Sequence, residues 1–354
     1  MIKPNLFLVI NEDCNLNCSY CNVVKTSKEL SRVDIVKSFT YFFRFFHKSK
    51  SYNIFFIWWE SLLSWKNLMF SILFLRKFEI KSGRQITIQL PTNWTLLSEE
   101  KCEFFRRYNV KVSVSIDSLK SEYHHRDFSG NIGLTSVSII TRKIDLIRKY
   151  EDVFRVKMVV IPEMLESMIS NFKDILEQGI KFINIQPAHG VYWSDENIDI
   201  YISKVTQIKS DIAHHDECGS STLKNTDSET YKMKKCAKGD SEICIDGYGN
   251  ILVCDAFLAY SPEERSRYAH DSIYIPNFNK EKFEAWRDWK YCNNTIIANS
   301  QWKMDTNITK CKTCNESISC SKLCNAVPIN WRDLNQKIIL SNFNLFKKLD
   351  SILN

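Results

Sequence analysis

Along the first two-thirds of the chain, short apolar runs alternate with longer stretches in which hydrophobic residues return every three or four positions. The runs at 6–10, 54–57, 86–90, 110–116, 156–161 and 182–185 predict strands, and the periodic stretches at 33–47, 66–78, 99–108, 135–150, 164–178 and 197–213 predict helices. Ser31 and Ser98 stand where the first and third helices would take an N-cap. Six strand–helix units in series predict an α/β fold: a parallel sheet whose connections share one hand and curl it into a partial (β/α)6 barrel. Chemistry is then expected on the loops after the C-terminal ends of the strands. Past residue 213 the pattern lapses, and polar residues dominate 216–228. The reading is a barrel over 1–215, a linker or surface loop over 216–235, an irregular cysteine-rich domain over 236–330 and a helical tail over 331–354. No repeat of 20–50 residues is present.

Composition narrows the function classes. The 354 residues are 44% hydrophobic and 25% charged, which suits a globular protein with a full core. A net charge of +7 is spread without a long Lys/Arg block, so a solvated, mildly basic surface is expected and no nucleic-acid partner. An acidic peptide or other polyanion is the alternative partner for that charge. The first residues lack the apolar segment and cleavage site of a signal peptide. Glu60 and Lys66 interrupt the most membrane-like stretch, 54–75, so no membrane span is expected. Thirteen cysteines without export signals point to the reducing cytoplasm and to metal binding in place of disulfides.

The segment CNLNCSYC supplies Cys14, Cys18 and Cys21 in a C-x3-C-x2-C arrangement directly after the first strand. Three thiolates at that spacing can hold three irons of a cubane and leave the fourth open to a chelating ligand. A zinc site would want a fourth Cys or His nearby, and none is close in sequence. With Tyr20 as the aromatic before the last cysteine, the motif resembles the signature of the radical S-adenosylmethionine superfamily. The resemblance implies a catalytic 4Fe-4S cluster on these three cysteines and S-adenosylmethionine on the open iron. One electron from the cluster, supplied by an external donor such as flavodoxin or ferredoxin, then yields a 5′-deoxyadenosyl radical. The six-unit barrel agrees with that family.

The loops after strands two and three read IWWES and PTNWT, where the family has Gly-Gly-Glu-Pro and Thr-Asn-Gly-Thr. Glu60 and Asn93 keep register as cofactor-binding positions, but Trp58, Trp59 and Trp94 stand where glycines are expected, and Ser61 replaces the proline. Glycine serves where backbone must approach a ligand or take a positive φ. Either the cofactor pocket has degenerated, or these positions are glycines encoded by UGA, which some bacterial lineages read as glycine. The second reading is preferred, because the chain has 9 glycines against about 25 at average usage, and 9 tryptophans. Ser115 and Asp117 after strand four, and Gln186 after strand six, are candidate contacts to the nucleoside, with ordinary strand-end polarity as the alternative for the first two.

The C-terminal cysteines comprise Cys236, Cys244, Gly249-x4-Cys254 and then Cys311-x2-Cys314-x5-Cys320-x3-Cys324. The DGYGN segment between them predicts a tight hairpin turn with Gly249 in the unusual conformation. This array resembles the SPASM extension of radical enzymes that modify peptides and proteins, with a zinc ribbon as the rival for 311–324 alone. The resemblance implies one or two auxiliary 4Fe-4S clusters, the first on Cys236, Cys244, Cys254 and Cys324, the second on Cys311, Cys314 and Cys320. The family's last cysteine is missing, and Asp333, Cys292 or an exchangeable ligand would complete the second set. Asp255 follows Cys254 and matches a proton-accepting Asp of anaerobic sulfatase-maturating enzymes; a carboxylate bonded to loop backbone is the alternative. Cys102 reads as a core residue and His189 as a surface-loop histidine. The expected activity is hydrogen abstraction from a peptide or protein residue, giving an oxidised side chain, a cross-link or an epimer. The alternatives are a radical enzyme acting on a small molecule and a catalytically degenerate iron–sulfur protein.

Overall fold

The computed structural model describes residues 3–129, 136–213, 241–252, 255–269 and 271–274. Six parallel strands run in order to one edge of the sheet: β1 (Asn5–Leu8), β3 (Ser51–Phe56), β4 (Gln85–Thr92), β5 (Val110–Ser115), β7 (Phe154–Val160) and β8 (Ile183–Pro187). Every second residue of these strands is buried. Leu6 pairs with Ile54, Ile54 with Ile88, Ile88 with Val110, Val114 with Val156, and Val156 with Ile183, which makes one continuous apolar face. Period-two burial in a parallel sheet means that helices cover only one side, since strands covered on both faces read as unbroken apolar runs. The other face carries the half-buried Gln89, Ser113, Ser115, Lys157, Asn184 and Gln186. It is a polar wall, the inner face expected of a partial barrel.

Helices α1 (Arg32–Phe45), α2 (Trp65–Ser82), α3 (Glu99–Arg107), α6 (Met168–Glu177) and α7 (Asp195–Ala213) fall within a few residues of their predicted spans. Both caps form. The Ser31 hydroxyl accepts from the Asp34 N–H in a reciprocal capping box, and Ser98 accepts from the Lys101 N–H. The predicted helix 135–150 is divided at Lys143 into α4 (Val137–Arg142) and α5 (Ile144–Lys149). The Lys143 ammonium donates to the carbonyls of Thr95 and Leu97, which ties the break to the loop after β4.

Two features lie beyond the six-unit pattern. A two-stranded ribbon pairs β2 (Leu16–Cys18) with β6 (Arg126–Phe128), setting Cys18 opposite Arg126. The sheet also continues past residue 240: β9 (Glu242–Ile245) lies parallel to β1, with Cys244 opposite Phe7. It then turns into the antiparallel β10 (Asn250–Leu252), flanked by β11 (Asp271–Ser272) and the short helix α8 (Pro262–Tyr268). The predicted hairpin turn is present. Asp246 accepts from the N–H groups of Tyr248 and Asn250, and Gly249 has φ +76°. A Cβ there would lie 2.6 Å from Ile273 Cγ1, so only glycine fits without a shift.

Candidate functional site

The long connection from β1 to α1 is held from both ends. Asn11 donates to the Glu60 carbonyl at 3.1 Å, the Glu60 N–H donates to the Asp13 carbonyl at 3.0 Å, and the Thr26 N–H donates to the Glu12 carbonyl at 2.7 Å. This connection presents Cys14 and Cys18, half-buried, and Cys21, exposed, none of them in a disulfide. A side-chain N–H faces each of the first two sulfurs: Asn93 Nδ2 lies 3.7 Å from Cys14 Sγ, and Arg126 Nη1 lies 3.8 Å from Cys18 Sγ. Burial pushes the Cys14 thiol up; the Leu16 backbone bond, Lys25 and Asn93 act against it. Burial pushes Cys18 up to about 11, with Arg126 opposing.

Among the described residues no three His, Cys, Asp or Glu side chains are close enough to share one metal ion. A cubane spreads its thiolates over separate irons, and the two N–H groups aimed at sulfur are the donors that Fe–S thiolates commonly have. The donor set fits such a cluster.

Glu60 is fully buried at the start of the turn after β3. Its carboxylate accepts from the Leu62 N–H at 3.0 Å, the Asn93 N–H at 2.7 Å and the Thr92 hydroxyl at 3.0 Å. It thus locks the loop after β3 to the loop after β4. Burial pushes its carboxyl up to about 7, against the pull of these bonds. Asn93 also bonds Asn15 at 2.8 Å and Thr95, which fixes its amide beneath Cys14.

The same two loops contain three of the four non-glycine residues with positive φ among the described residues: Trp58 at +60°, Trp59 at +35° and Trp94 at +73°. The fourth is Asn109, a residue type that tolerates this region. For a bulky side chain such a conformation is an outlier, costing on the order of 1–3 kcal/mol. Trp94 is fully buried, and its indole N–H has no partner among the described residues. The backbone of both loops therefore has the conformation that suits glycine, and three indoles do not fit a site expected to receive S-adenosylmethionine on bare backbone.

Asp117 is buried after β5 with both carboxylate oxygens filled. The Tyr20 hydroxyl (2.7 Å), Arg126 Nε (2.7 Å), Arg126 Nη2 (3.0 Å) and the Val159 N–H (3.0 Å) all donate to it. Burial pushes its carboxyl up, but the Arg126 guanidinium outweighs that and holds it below the usual range. Asp117 and Tyr20, both expected at the cofactor, thus form the bracket that aims Arg126 at Cys18. Beside them, burial drives His124 down to about 4; it accepts from the Ser118 N–H and meets the Ser136 hydroxyl at 2.6 Å.

Ser115 and Gln186 lie on the polar wall, Ser115 paired with Lys157 and Gln186 with Val159. Burial lowers the Lys157 pKa, helped by Arg126, while the charges of Asp117 and Asp255 oppose it. Asp255 therefore sits within electrostatic reach of that wall, from the short 3-10 turn Asp255–Ala259. His189 is exposed and Cys102 fully buried, as expected. Cys244 is buried on β9. Cys236, Cys254, Cys311, Cys314, Cys320 and Cys324 lie outside the described residues, as do Cys292 and Asp333.

Two charged groups have no sequence signature. Arg126 is one; it ion-pairs with the nearby Asp117, but the β2–β6 ribbon is what brings it to Cys18, 108 positions away. The other is a buried cluster two residues before Cys14. Arg265, from α8, makes paired bonds to the Glu12 carboxylate at 2.7 and 2.6 Å and lies 3.4 Å from Asp246. The Gly247 N–H adds a 3.0 Å bond to Glu12. The cluster loop is thereby fastened to the hairpin that follows Cys244.

Among curated proteins, the serine-type anaerobic sulfatase-maturating enzyme of Klebsiella aerogenes is 24% identical over 193 residues, covering 53% of this chain and 46% of that protein. The enzyme of the same description from Bacteroides thetaiotaomicron is 29% identical over 162 residues, covering 42% and 36%. The radical SAM cyclopropyl synthase TigE of Paramaledivibacter caminithermalis is 22% identical over 223 residues, covering 57% and 45%. The matched stretch spans less than half the length of each of these relatives. Among solved structures, anSMEcpe with bound AdoMet superposes with a TM-score of 0.67 at 16% identity, covering 98% of this chain and 99% of that one. Streptococcus suis SuiB bound to precursor peptide SuiA gives a TM-score of 0.59 at 14% identity, covering 90% and 71%. At these identities the likeness is one of fold. The Radical SAM superfamily itself matches residues 8–176, which run from the end of β1 through the cluster loop and both glycine-demanding turns to α6. Residues 8–176, with the three-cysteine loop among them, thus match the radical S-adenosylmethionine superfamily.

Proposed function

We propose that this chain is an oxygen-sensitive radical enzyme that modifies a residue of a peptide or protein by hydrogen abstraction. The observation that carries the reading is the cluster loop, with two cysteine sulfurs each faced by a fixed N–H and all three cysteines at the C-terminal end of β1. When bound, the cluster and S-adenosylmethionine would supply the electron and the hydrogen-abstracting radical, and auxiliary clusters on the C-terminal cysteines would supply an electron acceptor. The chain's own residues do the rest. Cys14, Cys18 and Cys21 hold the iron, Glu60 locks the two cofactor loops together, and the polar wall from Gln89 to Gln186 orients the substrate. Asp255, within reach of Lys157, is the candidate acceptor for the substrate proton.

A peptide substrate is supported by two kinds of relative: maturases of sulfatases, and SuiB bound to a precursor peptide. Flavodoxin or ferredoxin is the proposed electron donor, and the reducing cytoplasm the proposed setting. No helix among the described residues is long and apolar enough to cross a membrane.

The test is anaerobic reconstitution, with iron and sulfide counted per chain, followed by a 5′-deoxyadenosine assay under a low-potential reductant. The expected result is a cluster lost in Cys14→Ala, Cys18→Ala or Cys21→Ala, and deoxyadenosine formed by protein carrying Trp58→Gly, Trp59→Gly and Trp94→Gly. A bound cluster and bound S-adenosylmethionine without deoxyadenosine would overturn the catalytic reading.

A further inference from the structure

We infer that positions 58, 59 and 94 are glycine in the working protein, encoded by UGA codons read as glycine, because tryptophan there does not fit the S-adenosylmethionine site proposed above. The ligand in this statement rests on the function proposed above; the left-handed backbone supports the identity of the residues independently.

The tryptophans among the described residues divide into two groups by backbone conformation. Trp65 opens α2 with φ −50°, an ordinary helical value, and its ring meets Phe104 and Phe105 edge-on. Trp193 is buried, donates its indole N–H to the Ala188 carbonyl at 3.2 Å, and packs edge-on against Tyr201. Side-chain contacts do not separate the two groups, since Trp59 donates its indole N–H to the Val24 carbonyl at 3.2 Å and Trp94 packs edge-on against Phe154; the backbone does. Trp58, Trp59 and Trp94 all lie in the left-handed region, which glycine enters without steric penalty and a large side chain does not. Trp94 adds a buried indole N–H with no partner among the described residues, a group that native cores rarely leave unsatisfied.

The true glycines show the same demand elsewhere in the chain. Gly83, Gly179, Gly190 and Gly249 all have positive φ, so among the described residues the backbone turns left-handed at glycine, at Asn109 and at these three tryptophans. UGA is a stop in the standard code, and translation under a variant code that assigns it to tryptophan writes such glycines as tryptophan and changes no other residue type. The scarcity of glycine, 9 against about 25 expected, has the same sign.

The first test is the gene and the protein from its source. UGA at codons 58, 59 and 94, UGG at 65 and 193, and glycine in the peptide masses covering 58, 59 and 94 are the expected results. UGG at 58, 59 or 94, or a tryptophan mass there, overturns the inference. The second test compares Gly with Ala at each site in the full-length chain, since both remove the indole and differ in tolerance of positive φ. The Gly variant is expected to melt ~2–4 °C above the Ala variant at 58, 59 and 94, and below it at 65, where Ala favours the helix. Ala above Gly at the first three sites refutes the backbone argument. The third test is calorimetric binding of S-adenosylmethionine to the reconstituted protein. The glycine form is expected to bind at least ~10-fold tighter than the tryptophan form, because an indole fills the approach to the backbone. If glycine is confirmed by codon and mass yet no binding occurs, the functional reading fails and the glycine assignment stands.

Discussion

Replacing Arg265 by Met removes the cation that faces two buried carboxylates and leaves the volume of the side chain nearly unchanged. Glu12, Asp246 and Arg265 all have fully buried side chains, so no water is at hand to take over from the guanidinium. Glu12 loses two charge-assisted bonds of 2.7 and 2.6 Å and retains the Gly247 N–H and the weaker Thr26 contact. Breaking one side of a buried pair in this way typically costs ~3–5 kcal/mol, a large share of the ~5–15 kcal/mol that holds a domain folded. Burial already pushes the Asp246 carboxyl up, with Arg265 the main group holding it down, so proton uptake there will offset part of the loss at low pH. Urea unfolding of the cluster-free chain, read at pH 7 by far-UV circular dichroism, measures the change. A lowered midpoint with an unchanged slope is expected.

Adding Glu12→Gln to Arg265→Met removes one stranded charge and should recover part of the stability, giving a clear coupling in the double-mutant cycle. The exposed Glu99–Lys149 pair provides the control, and Lys149→Met should leave the midpoint in place. If Arg265→Met moves stability by less than ~1 kcal/mol, or if the double variant is worse than the single one, the cluster is not the latch described above.

Two buried groups oppose each other in pH. Burial lowers His124 from 6.5 to about 4, so the unfolded chain binds more protons between those values and stability falls as pH drops through them. Burial raises Glu60 from 4.5 to about 7, so the folded chain binds more protons there and stability falls as pH rises through that window. Each is worth roughly 3 kcal/mol and they nearly cancel; His124→Gln should leave stability falling with rising pH, and Glu60→Gln should leave it rising, both read by urea midpoints from pH 4 to 7. A parent chain whose slope neither variant alters would refute both assignments. Arg126→Lys keeps a cation near Asp117 and removes the guanidinium N–H aimed at Cys18. The cluster's midpoint potential should fall by tens of millivolts, on the order of ~1 kcal/mol for one electron, in an EPR-monitored titration; an unchanged potential would refute the contact. Ser31→Ala removes the capping box of α1 and should cost about 1 kcal/mol in urea unfolding, with no change refuting the cap.

Local chemistry made much of this protein legible in one dimension. The three-cysteine spacing, the Ser31 and Ser98 caps, the hairpin at Asp246–Asn250 and the positions of the six strands each depend on residues close together in the chain, and such features leave a periodic or spaced trace. The tryptophans at 58, 59 and 94 were conspicuous in sequence by their place in the motifs; the left-handed φ values show why those places demand glycine. Only the tertiary structure decided the rest, because it joins residues with no sequence relation. Asp117, legible as a strand-end carboxylate, turned out to be saturated by Tyr20, Arg126 and Val159. The single helix expected over 135–150 was divided where Lys143 reaches the β4 loop. Residues 242–245 add β9 to the main sheet beside β1, and Arg265 reaches back across 253 positions to Glu12. A charge buried by distant segments carries no local pattern, since its energy depends on what surrounds it once the chain has folded.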